Sequence, residues 1–204
     1  MEKIVYLVRH SEPMKNRNNV INSDSLQVWN EKNPLSINGE KKAEDFASNP
    51  EFLNIDYLVS SKYVRAISTA KYFADKNKLD INIDENFGER KHGVESWSDL
   101  PDGFEQRQLI DKEYKVGNGE NQIEVASRMH SSLLNILNNT DYRKIVIVSH
   151  ATAITFLLMK MCDYSDGILT FNGEVIMDNN FSWGAPDGFK LVFDDENLIK
   201  INNI

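Results

Sequence analysis

Short apolar runs rich in Val and Ile alternate along this chain with amphipathic stretches at helical spacing. The first run predicts a buried strand over residues 3–9, ending abruptly in Arg9-His10. A polar stretch from Ser11 to Pro34 follows, with six Asn and little periodicity, and reads as a long loop with a helical turn near Leu26–Trp29. Ser36 then caps a helix running to about Ser48, with Ala43, Phe46 and Ala47 inward. Ile55–Ser60 predicts a second strand. Ser60 or Ser61 caps the next helix, from Lys62 to about Asp75, with Val64, Ile67, Ala70, Tyr72 and Ala74 on its apolar side.

Ile81–Ile83 reads as a short third strand, and residues 84–119 as irregular apart from a helix over Phe104–Tyr114. Asn121 and Glu124 form a capping box for a helix to about Leu137, with Ile123, Ala126, Leu133, Leu134 and Leu137 buried. Lys144–Ser149 is the fourth strand and again leads into a histidine, His150. The helix over Thr152–Cys162 is nearly all apolar. Short strands close the chain, at Ile168–Phe171 and Glu174–Met177 about an Asn-Gly turn, then at Lys190–Phe193 and Leu198–Ile201 as an antiparallel edge pair.

The 204 residues and 41% hydrophobic content suit one domain, 1–204, with a sizeable core. A net charge of −8 argues against nucleic acid and against an anionic membrane as partner, so an anionic substrate has to be drawn by a local basic pocket. The single cysteine, Cys162, excludes a disulfide framework. No apolar run approaches membrane-spanning length, and the N-terminus enters a strand without a signal-peptide layout, so a cytoplasmic protein is expected.

The candidate chemistry sits where apolar runs stop. LVRH at 7–10 and IVSH at 147–150 end alike, and in a parallel sheet both histidines would face one crevice although 140 residues separate them. Arg65 lies in the first turn of its helix, where acids are usual, and a bound anion is one reason for it. Two His and two Arg at one sheet edge suit a multiply charged tetrahedral anion. The four histidines lack metal-ligand spacing, and there is no P-loop or dinucleotide fingerprint.

RHxE at 9–12, PLSxxGxxxA at 34–43, SSxxxRAxxTA at 60–70, GER at 88–90 with Gly93, GEN at 119–121 with Arg128, and VSH at 148–150 occur in an order that resembles the histidine phosphatase superfamily, the phosphoglycerate-mutase-like enzymes. The likeness spans about residues 3–160. It implies a three-layer α/β/α sandwich with a mainly parallel central sheet and an inserted lid at about 84–120. It also implies phosphoryl transfer through a phosphohistidine on His10, with no metal and no other cofactor. Arg9, Arg65 and His150 would bind the phosphoryl oxygens, with Asn16 and His92 as further substrate contacts. Glu89 would serve as acid and then base, with Glu12 and Glu95 as the nearest rivals, and Glu120 and Arg128 as structural residues.

The partner implied is a small phosphorylated metabolite. Hydrolysis is the leading reaction, because residues 84–120 carry five Lys/Arg against nine acids with Glu120 left aside. The alternatives are a phosphoglycerate mutase and a silent phospho-ligand-binding member. The C-terminal hairpin or the lid would serve as the interface of a homodimer. Three departures stand out: Ser11 and Ala151 where the family usually has Gly, and His92 where mutases tend to carry Tyr.

Overall fold

The computed structural model describes residues 1–15, 25–178 and 182–204. Strand β1 (Glu2–Arg9) runs through the middle of a six-stranded sheet, and its inner residues Val5–Val8 are wholly buried. Such burial on both faces explains the unbroken apolar run. On one side β1 pairs in parallel with β4 (Lys144–Ser149), which pairs in parallel with β2 (Tyr57–Ser60), and β2 with the two-residue β3 (Asn82–Ile83). On the other side it pairs antiparallel with β8 (Asp187–Asp194), followed by β9 (Asn197–Asn203). The order is β3-β2-β4-β1-β8-β9, mixed but mainly parallel. The final hairpin is therefore not wholly an edge pair. Its first strand lies inside the sheet, and only β9 is an edge.

Alternate residues of β1 feed two separate cores. Val5 and Leu7 pack with α5 (Gln122–Asn139) and α6 (Ala151–Met161) through Met129, Leu133, Ile154 and Leu157. Tyr6 and Val8 pack with α2 (Ile37–Ala47) and α3 (Val64–Asn77) through Ala47, Ala66, Ala70 and Phe73. Helices thus cover both faces, giving the three-layer α/β/α arrangement.

Several boundaries differ from the sequence reading. The loop after β1 contains a true helix, α1 (Leu26–Lys32), capped by Ser25. The helix expected over Phe104–Tyr114 is only α4 (Phe104–Ile110). Strand β5 (Asp163–Ser165) was not expected, and it forms a small antiparallel sheet with β6 (Ile168–Phe171) and β7 (Glu174–Met177). Val64 and Ile123, assigned to buried stripes, are exposed. In α3 the buried face instead follows Arg65, Ala66, Thr69, Ala70 and Phe73. The capping box of Asn121 and Glu124 is present as expected.

Two glycines hold chain segments close. A Cβ on Gly39 would lie 2.0 Å from the Glu12 carbonyl oxygen, so α2 presses on the loop leaving β1. Gly93 has φ of +78°, and a Cβ there would lie 2.0 Å from the Val116 carbonyl oxygen. That contact draws together the two ends of the 84–120 segment. Among the described residues no helix is long and apolar enough to cross a membrane.

The burial pattern of α5 predicts an asymmetric mutational response. Leu133→Ala, at a fully buried site, should lose about 2–5 kcal/mol in urea unfolding. Ile123→Ala, at an exposed site ten residues earlier on the same helix, should stay within about 0.5 kcal/mol.

Candidate active site

Register places the two histidines. Arg9 lies opposite Ser149 in the parallel β1–β4 pair, and the backbone N–H of His10 donates to the Ser149 carbonyl at 2.9 Å. His10 and His150 therefore leave the sheet side by side, with ring centroids 5.1 Å apart in an edge contact. Both are buried.

The hydrogen bonds of His10 define its tautomer. Nδ1 lies 2.7 Å from the Ser11 carbonyl oxygen, an acceptor, so Nδ1 carries the proton. Nε2 accepts from Arg65 Nε at 2.9 Å, so it carries a lone pair and no proton. Burial, and then the Arg65 charge, hold the pKa of His10 well below its ordinary value. The imidazole is neutral and its nucleophilic nitrogen faces a guanidinium.

Arg65 is the hub of the cluster. It projects from the first turn of α3 and is 5% exposed. Its Nη1 donates to the Asn30 carbonyl near the end of α1, and its Nη2 to His150 Nδ1 at 3.2 Å. Its guanidinium carbon stands 4.8 Å from the centroid of the Tyr63 ring. Burial lowers its pKa and the Glu89 charge opposes that shift.

Ser61, read from sequence as a helix cap, does something else. The residue preceding α3 is Tyr63, which makes no side-chain cap, and Ser61 Oγ instead meets His150 Nε2 at 2.8 Å. Sequence reasoning missed this contact, because a Ser-Ser pair before a helix is an ordinary capping signal.

Arg9 is held from the far end of the chain. Its Nη1 donates to the carbonyls of Trp183 at 3.0 Å and Gly184 at 2.7 Å, while its buried Nε has no partner among the described residues. Asp187, opposite Arg9 in the antiparallel β1–β8 register, accepts the N–H groups of Gly184 and Gly188 and fixes that turn. Backbone carbonyls leave no side-chain signature, so sequence reasoning could not find them.

Glu89 is half-buried and acts electrostatically on Arg9, Arg65 and Tyr63. It does not pair with the Arg90 side chain, whose Nη2 goes to Glu105 at 3.1 Å. Its Oε1 accepts the Arg90 backbone N–H at 2.9 Å. Arg128 holds the surrounding loop by donating to the carbonyls of Asn86, Gly88 and Glu89, and is itself gripped by Glu120 at 2.8 and 3.0 Å. Of the rival carboxylates, Glu12 is committed to Lys42, Ser36 and Asn38, which push it down to about 2. Glu95 is exposed.

His92 lies inside the protein. It is buried between Trp97 and Phe104, at centroid distances of 4.9 and 6.1 Å, and burial followed by the Arg90 charge pushes it down to about 4. Its Nδ1 has no hydrogen-bond partner among the described residues. Asn16 lies outside the described residues. Ser11 is accommodated without positive φ, its Oγ donating to the Gly39 carbonyl at 2.7 Å and its N–H to Thr69 Oγ1. In place of glycine it ties the nucleophile loop to α2.

A cavity of about 590 Å³ opens onto His10, Arg9 and Arg65. Its outer wall is Pro13, Met14, Lys15, Trp29, Asn33 and Trp97. The arrangement presents one neutral imidazole and two guanidinium groups to this cavity, with a second imidazole packed against the first.

The sequence pattern of the histidine phosphatase superfamily (branch 1) matches residues 5–170. A probable phosphoglycerate mutase GpmB of Escherichia fergusonii is 30% identical over 161 residues, 76% of this chain and 72% of the relative. Among solved structures, a mycobacterial glucosyl-3-phosphoglycerate phosphatase superposes with a TM-score of 0.74 at 17% identity, covering 100% of this chain and 97% of its own. A phosphoserine phosphatase of Entamoeba histolytica, a mutant in complex with phosphoserine, gives 0.69 at 19% identity over 98% and 96%. A Bacillus anthracis phosphoglycerate mutase gives 0.72 at 16% identity over 100% and 92%. With most of its length matched and its fold shared, this chain belongs to the histidine phosphatase superfamily, branch 1.

Proposed function

We propose that the protein is a metal-independent phosphomonoester hydrolase that acts through phosphohistidine on a small phosphorylated metabolite. The observation that carries this reading is the His10 tautomer, with Nδ1–H tied to a carbonyl and the Nε2 lone pair aimed at the Arg65 guanidinium. In the first step Nε2 attacks phosphorus, the P–N bond forms, the ester P–O bond breaks, and Glu89 gives its proton to the leaving oxygen. In the second step Glu89 takes a proton from water, the water oxygen attacks phosphorus, and the P–N bond breaks. Phosphate leaves and His10 is neutral again. Arg9, Arg65 and His150 stabilise the charge on the equatorial oxygens in both steps.

The 84–120 segment serves as a lid over this site in the same reading. Trp29 and Trp97, edge to face at 6.3 Å, give the leaving group an apolar wall. His92 packs against Trp97 and would reach the substrate through it. The mutase alternative is kept alive by the GpmB relatives. A mutase has to retain a second phosphoryl group. Among the described residues, Lys15 is the only cationic side chain added to Arg9 and Arg65 around the cavity, and Arg90 is committed to Glu105. Both facts favour hydrolysis of a monoester.

Hydrolysis of an aryl phosphate with EDTA present is the direct test. The wild type should turn over, and His10→Ala should lose at least about 10³-fold. Activity surviving in His10→Ala would overturn the nucleophile, whereas a wild type active only in phosphoglycerate interconversion would install the mutase.

Glu89→Gln should separate substrates by leaving group. Alkyl phosphates, whose leaving oxygen needs a proton, should lose about 10²–10⁴-fold in kcat/KM, and aryl phosphates with acidic phenols much less. Equal losses on both would remove Glu89 from the acid role.

The reading also requires neutral imidazoles, and this has a consequence for stability. His10, His92 and His150 are depressed in the folded state, so the unfolded chain binds more protons once the pH falls below about 6.5. Stability is therefore complete above that pH and declines as pH falls, with the His92 share lost between about 6.5 and its folded value of about 4. Urea unfolding should show this slope, and His92→Phe should remove about one proton from it.

A further inference from the structure

The hydrogen bonds of His150 leave its Nδ1 as an acceptor, whereas an oxyanion there requires a donor. Arg65 Nη2 faces Nδ1 at 3.2 Å, and a guanidinium only donates, so Nδ1 carries no proton. The proton of the neutral ring is then on Nε2, which donates to Ser61 Oγ at 2.8 Å. The Tyr63 backbone N–H points at the same oxygen at 3.4 Å, which suits an acceptor. A phosphoryl oxygen taking the place of Nη2 opposite Nδ1 would meet a lone pair. His150 contributes to binding the oxyanion only when Nδ1 bears a proton.

We propose that Ser61 is the positioning residue of a tautomer switch, accepting from His150 Nε2–H in the free enzyme and donating its hydroxyl proton to a bare Nε2 when an oxyanion binds, so that Nδ1–H faces the anion. This rests on the phosphoryl-binding reading above. The balance is neutral: one proton leaves Nε2 for solvent, one arrives at Nδ1 from solvent, and the Ser61 hydroxyl rotates. Ser61 suits both states because a hydroxyl offers one donor and two lone pairs. The alternative, an imidazolium donating from both nitrogens, is opposed by the surroundings. The charged and titratable groups facing His150 are Arg65 from α3 and Tyr63 just before it, Arg9 from β1 and His10 just after it, and Arg128 from α5. The three guanidinium groups repel a cation, and Arg9 with Arg65 already match the charge of a dianion. Burial acts in the same direction and holds the His150 pKa well below its ordinary value.

The test is ring ¹⁵N–¹H spectroscopy of the whole labelled protein, with and without tungstate, a tetrahedral dianion that needs no turnover. His150→Gln assigns the signals among the four histidines. The expected result is a His150 ring protonated on Nε2 when free and on Nδ1 when bound. Ser61→Ala should bind tungstate roughly tenfold more weakly, one buried hydrogen bond in size, and Ser61→Thr should restore both affinity and tautomer. A bound ring protonated on both nitrogens, or one still protonated on Nε2, overturns the switch while leaving the phosphatase reading intact. Unchanged affinity and tautomer in Ser61→Ala also overturns it. Failure of the wild type to bind tungstate at all overturns the phosphoryl site together with the switch.

Discussion

Arg65 is a buried cation whose hydrogen bonds go to two imidazoles and a backbone carbonyl, none of which carries a negative charge. Burying a guanidinium on those terms is costly, since neutral acceptors replace its water shell without neutralising it. The fold tolerates this because α3 is packed on both ends of the problem. Ala66, Ala70 and Phe73 anchor it in the core, and Tyr63 places a ring under the guanidinium. A site built with unmatched positive charge binds an anion more strongly than one built from a neutralised pair. In a chain of net charge −8 this is a local cationic exception, suited to an anion.

The rest of the site follows from keeping that cation company with nucleophilic nitrogen and with nothing that would quench it. Parallel pairing of β1 with β4 delivers two neutral imidazoles at the same level. Glu89, which would neutralise Arg65 if it came to full contact, is kept beside the cluster by its own loop. Arg128 holds that loop through three carbonyls and is itself matched by Glu120. The carboxylate thus stays close enough to act on Arg9 and Arg65 electrostatically without joining the cluster.

How much of this was legible depends on whether a side chain or the backbone carries the information. His10 and His150 could be found because each follows a Val- and Ile-rich run, and buried parallel strands announce their ends. Arg65 could be singled out because its charge is wrong for a first helical turn. Arg128 and Glu120 were visible as a pair but not as a clamp, since their targets are carbonyls. Ser61 was misread because the local signal for a cap and the tertiary contact to His150 use the same residue type. The burial of His92 was not foreseen because its neighbours in sequence are polar, while its neighbours in space, Trp97 and Phe104, are five and twelve residues away. Helix α1 was reduced to a turn by the Asn-rich composition around it.

Arg9 shows the same limit most sharply. The matched family pattern ends at residue 170, yet the carbonyls that hold the Arg9 guanidinium belong to Trp183 and Gly184. They reach it because β8 pairs antiparallel with β1 along its whole length, so that the turn preceding β8 must lie at the carboxyl end of β1. Asp187 holds that turn through two backbone N–H groups, and Trp183 is fixed in turn by Thr155 on α6, one helical turn from the residue that follows His150. The strand added on the antiparallel side therefore helps to build the surroundings of Arg9. It orients one guanidinium from outside the sequence motifs, as α3 orients the other from within them.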